Sequence, residues 1–257
     1  MRLKRVLQSL AYGRVPGGKC YCVLCGHRVW RFLPYRDNVY AELLASLRLV
    51  GSDVRCFACP RCGSHDRERH LLLYLQATGL LSSMAGKVVV HFAPERRLSH
   101  KIAAQNLRSY VRCDLFPSRA GIDRVDLLAM PFPKASVDVL IANHVLEHVS
   151  DDMDAVKEIC RVLVPGGIAI LQTPYSPTLE RTFEDPEIRE PLHRLRAYGQ
   201  EDHVRLFGGD VFDRIGKSGL VPETCAHATV LREIDHVEFG VNPEEPFFLF
   251  RKPAGIG

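Results

Sequence analysis

Cysteine is the residue type most unevenly placed in this chain. Cys20, Cys22, Cys25, Cys56, Cys59 and Cys62 crowd into the first quarter, whereas Cys113, Cys160 and Cys225 stand singly. Two Cys-x-x-Cys pairs stand out, Cys22–Cys25 followed by Gly26 and Cys59–Cys62 followed by Gly63. Such a pair grips one ion from a tight turn, and the glycine lets the chain fold back so that backbone N–H groups face the sulfurs. Four thiolates make a closed tetrahedral site with no position left for a catalytic water, so the chemistry expected of Cys22, Cys25, Cys59 and Cys62 is structural zinc. Cys56 and Cys59 repeat the same spacing and Cys20 lies beside Cys22; the two glycines select the first set. Iron–sulfur ligation is the rival chemistry, and it would colour the protein. A disulfide framework fits poorly, because it belongs to secreted chains and rarely clusters this way.

Carboxylates and histidines form the second group. They sit in HFAPE (91–95), at Asp114, at Asp126 before Met130-Pro131-Phe132, and in NHVLEH (143–148). Each follows or borders a short apolar run: VVVHF (88–92), SYVRC (109–113), VDVLIA (137–142) and IAILQT (168–173). Apolar runs alternating with polar helical stretches predict βαβ units and a mostly parallel sheet covered on both faces. Such a sheet binds ligands beyond the carboxyl ends of its strands, where these residues fall.

The remaining elements must hold those two groups in place. The 33 residues between the cysteine pairs contain VWRFLPY and VYAELLASLRLV, apolar enough for strands or a short helix around the metal. RERHLLLYLQATGLL reads as a linker helix. The segment 151–163 is the clearest helix, capped by Ser150, with Met153, Val156, Ile159, Cys160 and Leu163 on its apolar stripe and Pro165-Gly166-Gly167 as its stop. FFLFRK (247–252) reads as a closing strand. The expected division is a basic zinc module over 1–66, a linker helix over 67–85 and an α/β domain over 86–257.

Composition bounds the rest. The 257 residues are 46% hydrophobic and 25% charged, which excludes a disordered chain. Residues 1–70 hold 13 Lys and Arg against 5 Asp and Glu, and the remainder 21 against 25, so a basic module precedes a mildly acidic body. That permits an anionic partner such as nucleic acid, although a solvated basic face is the plainer reading. No apolar run reaches ~18 residues and no leader pattern opens the chain, so a cytoplasmic, unprocessed protein without membrane contact is expected.

The strings DLLAMPFPKASVDVLIANHVLEHV and AVKEICRVLVPGGIAIL resemble the class I S-adenosylmethionine-dependent methyltransferases, especially the type 11 group. The resemblance rests on Asp126, Met130-Pro131-Phe132, Ser136-Val137-Asp138, Leu146-Glu147-His148 and Arg161 through Gly167, in that order. It implies a Rossmann-like class I methyltransferase sheet joined to a small zinc-ribbon-like module, and S-adenosylmethionine as methyl donor. Asp114 lies where such proteins accept from the ribose hydroxyls, Asp126 where they accept from the adenine amino group, and Met130 where a backbone N–H meets the ring. Asn143 and His144 lie where donor and acceptor meet.

One departure stands out. The family's Asp-x-Gly-x-Gly loop is here His91-Phe92-Ala93-Pro94-Glu95, with Ala93 and Glu95 in glycine positions and Pro94 lacking an N–H. His91, Ala93 and Glu95 are expected to hold the donor's methionine end, with Glu95 accepting from its ammonium.

Methyl transfer needs alignment and, for a protonated acceptor, a base. His144, His148 and His203 are the candidate bases. Tyr175, Tyr198 and Arg205 are the candidate acceptor contacts, Arg205 as a clamp on an anionic group, within a pocket expected from residues 175–210. His144-x-x-Glu147-His148 with His203 also resembles the divalent-metal set of small-RNA 2′-O-methyltransferases, with a histidine where a glutamate is usual. A helix-capping or packing role for Glu147 and His148 competes with that second metal. The function expected is methyl transfer to a small molecule at oxygen. An RNA or protein methyltransferase docking through its zinc module, and a catalytically silent binding module, are the alternatives.

Overall fold

The structure, a computed structural model, describes residues 2–35 and 41–255. A helix α1 (Arg2–Gly13) precedes a hairpin of β1 (Cys20–Cys22) and β2 (His27–Val29), then α2 (Ala41–Ser46). Part of the stretch between the cysteine pairs, 36–40, lies outside the described residues. The segment read as a linker helix is two helices, α3 (Asp66–Ala77) and α4 (Leu80–Ser83), separated by Thr78 and Gly79, the latter at φ 72°.

From there the chain alternates: β3 (Val88–Phe92), α5 (Arg96–Ala103), β4 (Ser109–Asp114), β5 (Asp123–Arg124), β6 (Val137–Ala142), α6 (Asp152–Val162) and β7 (Leu163–Ile170). It continues through α7 (Pro191–Tyr198), α8 (Val211–Gly216), β8 (Val221–Pro222), α9 (His227–Val230), α10 (His236–Phe239) and β9 (Leu249–Arg251). Seven strands form one sheet in the order β5-β4-β3-β6-β7-β9-β8. The first five are parallel and β9 runs antiparallel to both neighbours. The order reverses between β3 and β6, so the crevice at their carboxyl ends is the place for a ligand. The two-residue strands β5 and β8 are too short to show a period in sequence.

Two details of α6 differ from expectation. Its N-cap is Asp151, whose carboxylate accepts from Asp154 N, not Ser150. The Ser150 carbonyl instead accepts from Arg205. At the other end Leu163 already belongs to β7, and Pro165-Gly166-Gly167 lie inside that strand rather than after a helix. The register of β7 against β6 shifts between Val137 and Val139 to take them in.

The sheet separates two cores. Val90, Leu140, Ala142, Ala169 and Leu171 face α6 and α8. Val89, Val139, Ile141, Ile168 and Ile170 face the other way, into a cluster holding Leu71–Leu75 of α3 together with Leu24, Val29 and Phe32 of the cysteine module. The alternation follows from side chains pointing to opposite faces along a strand. α3 is therefore a roof over one sheet face rather than a linker, and the module continues that roof. No helix among the described residues is long and apolar enough to cross a membrane.

Candidate active site and metal centre

The Sγ atoms of Cys22, Cys25, Cys59 and Cys62 lie within 4.8 Å of one another. Cys22 and Cys62 are 3.8 Å apart, far beyond a disulfide bond of ~2.05 Å and close to the edge of a tetrahedron drawn with Zn–S bonds of ~2.3 Å. Gly26 and Gly63 both take positive φ, 70° and 76°, and their amides bond back to Cys22 O and Cys59 O. Cys20 and Cys56 stand outside the cluster, and burial pushes the Cys56 thiol up to about 12. The donor set fits a tetrahedral thiolate metal.

The second pair runs directly into α3. Glu68 accepts from His65 N across the first turn. Arg69, 0% exposed, donates to Cys56 O, Phe57 O and Ser64 O on the module side and to Phe239 O and Gly240 O on the other. Its guanidinium also stacks 3.8 Å over the Phe32 ring.

The bend after β3 keeps a glycine-like backbone without glycine, for Ala93 sits at φ 46°. His91 is buried inside β3, with Nδ1 against Tyr110 Oη at 2.9 Å and Nε2 3.2 Å from Glu95 Oε2. It therefore orients Glu95 and is shut off from a ligand. Burial works to raise the Glu95 carboxyl, but the His91 contact and charge outweigh it and hold it below its ordinary value. Asn143 Nδ2 donates to Glu95 Oε1 at 2.6 Å, while Asn143 Oδ1 and Glu95 Oε2 are buried without a hydrogen-bond partner.

Asp114 ends β4 and accepts from Phe116 N, and Asp126 accepts from Leu128 N; each spends one oxygen on its own turn. Met130 departs from expectation. Its N–H donates to Glu158 Oε1 at 3.0 Å and its side chain is core, so that amide is spent on α6, where Arg161 also holds the Met130 and Phe132 carbonyls.

Beyond β6 and β7 opens a cavity of about 960 Å³. His144, Glu147 and His203 line it from the sheet side, and Arg48, Gly51–Arg55, His65 and Arg67 from the module side. His144 takes a left-handed backbone, φ 54°, with Nδ1 3.3 Å from Glu147 Oε1 and Nε2 3.5 Å from Glu245 Oε1. Burial lowers the affinity of His144 for a proton, but the two carboxylates outweigh it and push its pKa up to about 9. Glu147 and Glu245 are held low by the same contacts against burial. Burial, with His148 nearby, holds His203 below its ordinary value, so at neutral pH it carries a free lone pair. His148 lies behind, T-shaped to His203 with centroids 4.8 Å apart. Ligand atoms of Glu147, His148 and His203 come within 4.8 Å of one another.

Three expected acceptor contacts are elsewhere. Tyr175 packs edge-on against Phe212 and Phe248. Tyr198 is core, its hydroxyl bonded to the backbone of Asp185. Arg205, 2% exposed, donates to the Leu146, Val149 and Ser150 carbonyls and to Glu184, because the turn after β6 leaves carbonyls that need a donor. The segment 175–210 gives the cavity only Gly199, Gln200 and His203; the module and the stretch His236 to Glu244 supply most of the remaining wall. Glu245 and Arg67 carried no motif. Glu245 comes from the far end of the chain, and Arg67 was hidden in a segment whose apolar spacing read only as packing.

Residues 90–171 match the family described as "Methyltransferase domain". A probable S-adenosylmethionine-dependent methyltransferase of Mycolicibacterium smegmatis is 35% identical over 105 residues, 38% of this chain and 40% of that protein. An uncharacterized methyltransferase of Bacillus subtilis is 34% identical over 77 residues, 30% and 28% respectively. The chain thus spans less than half the length of either relative. Among solved structures, a Burkholderia thailandensis 1,6-didemethyltoxoflavin-N1-methyltransferase aligns at 14% identity and TM-score 0.49, over 70% of this chain and 78% of that one. The ordered motifs, the family match and the strand order agree: residues 90–171 are a methyltransferase domain, set in a class I methyltransferase sheet.

Proposed function

We propose that the protein transfers a methyl group from S-adenosylmethionine to the oxygen of a small molecule held in the cavity between the sheet and the cysteine module. The observation that carries this reading is the cavity itself. Its size suits one compact ligand, it opens at the carboxyl end of β6 at His144, the residue after Asn143, and its inner wall holds a neutral histidine, His203. S-adenosylmethionine supplies an already activated methyl, so the protein's task is alignment, exclusion of water and proton removal. Asp114 and Asp126 would hold the ribose and adenine through their remaining oxygens, and Glu95 the ammonium. His203 is the base we favour. His144, between two carboxylates, is already protonated at neutral pH and serves instead as a fixed positive group at the cavity floor.

The fit of the four thiolates supports structural zinc as a second ligand of the chain. A second reading of the cavity floor, a divalent cation on Glu147, His148 and His203, is favoured by the convergence of their ligand atoms. Activity that neither rises with added magnesium or manganese nor falls on their withdrawal would end it. Nucleic acid remains the rival acceptor, given the basic module; affinity for RNA that is absent even at low salt would remove it.

The donor reading is tested by calorimetry with S-adenosylmethionine and S-adenosylhomocysteine. Wild type should bind both, and Asp114→Ala should weaken each by about 1–3 kcal/mol, the value of lost hydrogen bonds to a charged group. A wild type indifferent to both nucleosides would return the chain to a silent binding module.

A further inference from the structure

The first turn of α3 leaves polar atoms unsatisfied on the side facing the sheet. Arg67 Nε is buried without a partner, and so is Glu68 Oε2. Asn143 Oδ1 is equally buried without a hydrogen bond, and Glu95 Oε2 and His144 Nε2 have only their ion-pair contacts with His91 and Glu245. Glu95, Asn143 and His144 are each more than nine-tenths buried. Arg67 acts electrostatically on both Glu95 and His144, yet it makes no hydrogen bond or ion pair with either. A cavity-lining cation and a nearby buried anion, each with hydrogen-bonding capacity left over, are complementary to the two ends of a zwitterion.

Resting on the proposed donor, we infer that Arg67, delivered by the outgoing arm of the second cysteine knuckle, binds the carboxylate of the donor's amino-acid end while Glu95 and Asn143 take its ammonium. Three features make this a built arrangement. Arg67 follows Cys62 by five residues, and the Arg69 guanidinium locks the intervening backbone at the Ser64 carbonyl. Asn143 Nδ2 already holds Glu95 Oε1, and Glu95 Oε2 meets His91 Nε2 on one side only, so its second lone pair and Asn143 Oδ1 can accept from an ammonium. Pro94 has no N–H, and the glycines that would let a ligand lie against the β3 bend are missing, so this bend lacks the backbone hold that a glycine loop offers. A guanidinium arriving from outside the sheet supplies that missing hold, with the planar fork suited to a carboxylate. The module would then complete the methyl-donor site as well as carry a metal.

The test uses the full chain and two ligands. S-adenosylhomocysteine has the amino-acid end; 5′-deoxy-5′-methylthioadenosine keeps the nucleoside and sulfur and lacks it. Arg67→Met should lose on the order of 10- to 100-fold affinity for the first by calorimetry and hold the second within about twofold, with Arg67→Lys recovering part of the loss. Glu95→Gln should show the same selective loss. Undiminished S-adenosylhomocysteine binding by Arg67→Met would overturn the inference, as would an equal loss for both ligands, which marks collapse of the crevice. A wild type that binds neither ligand refutes the donor itself, and that failure shows before any substitution is made.

Discussion

The two faces of the sheet are built by different means. On one, α6 and α8 cover the strands with side chains drawn from nearby in sequence, and Arg205 and Arg214 pin the edge through Asp152 and Glu184. On the other, α3 and the cysteine module cover the strands with residues far upstream, and Arg69 pins the module to the turn at Phe239–Gly240. The first face is a self-contained crossover. The second is joined to a four-cysteine cluster outside the sheet, and the module that carries that cluster also lines the cavity. The module thus shares a core with the sheet and forms part of the wall of its cavity.

Metal removal should break this comparison most severely. Structural zinc contributes apparent binding energies of ~10–16 kcal/mol in small fingers, comparable with a whole domain's stability of ~5–15 kcal/mol. Chelation, or Cys59→Ser, should therefore raise hydrogen exchange in α3 and abolish S-adenosylhomocysteine binding, along with loss of the module. Unchanged protection of α3 would reduce the module to an appendage. Arg69→Met comes next, because five backbone carbonyls lose a charged donor; about 3–5 kcal/mol should disappear from chemical denaturation. Arg205→Met, its counterpart on the other face, should cost less, about 2–3 kcal/mol, since Asp152 and Glu184 keep Arg214. A reversed order would mean that the crossover face is the more dependent one.

The smallest effect is the pH response of the cavity floor. His144 is raised to about 9 from an ordinary 6.5, so its contribution is complete below about 6.5 and is lost as pH rises through about 9. His144→Asn, chosen because asparagine tolerates the positive φ, should narrow the stability gap to wild type by on the order of 3 kcal/mol across that window. A gap that stays constant with pH would show that the two carboxylates do not hold a proton on His144.

Local chemistry was legible wherever a few neighbouring residues suffice. The cysteine pairs with their glycines and the parallel strands at 88–92, 109–113 and 137–142 follow from spacing and period, since a turn or a strand is specified within a handful of residues. The Met130 amide, Tyr198 and Arg205 misled because a motif gives a residue's type and its place along a strand. It does not reveal whether a neighbouring carbonyl or carboxylate has already taken its hydrogen bond. The tertiary structure alone brought Arg67 and Glu245 to the crevice and made the module one wall of the cavity. Those contacts join segments separated by much of the chain, where burial of the far sheet face, and not local preference, decides which side chains meet.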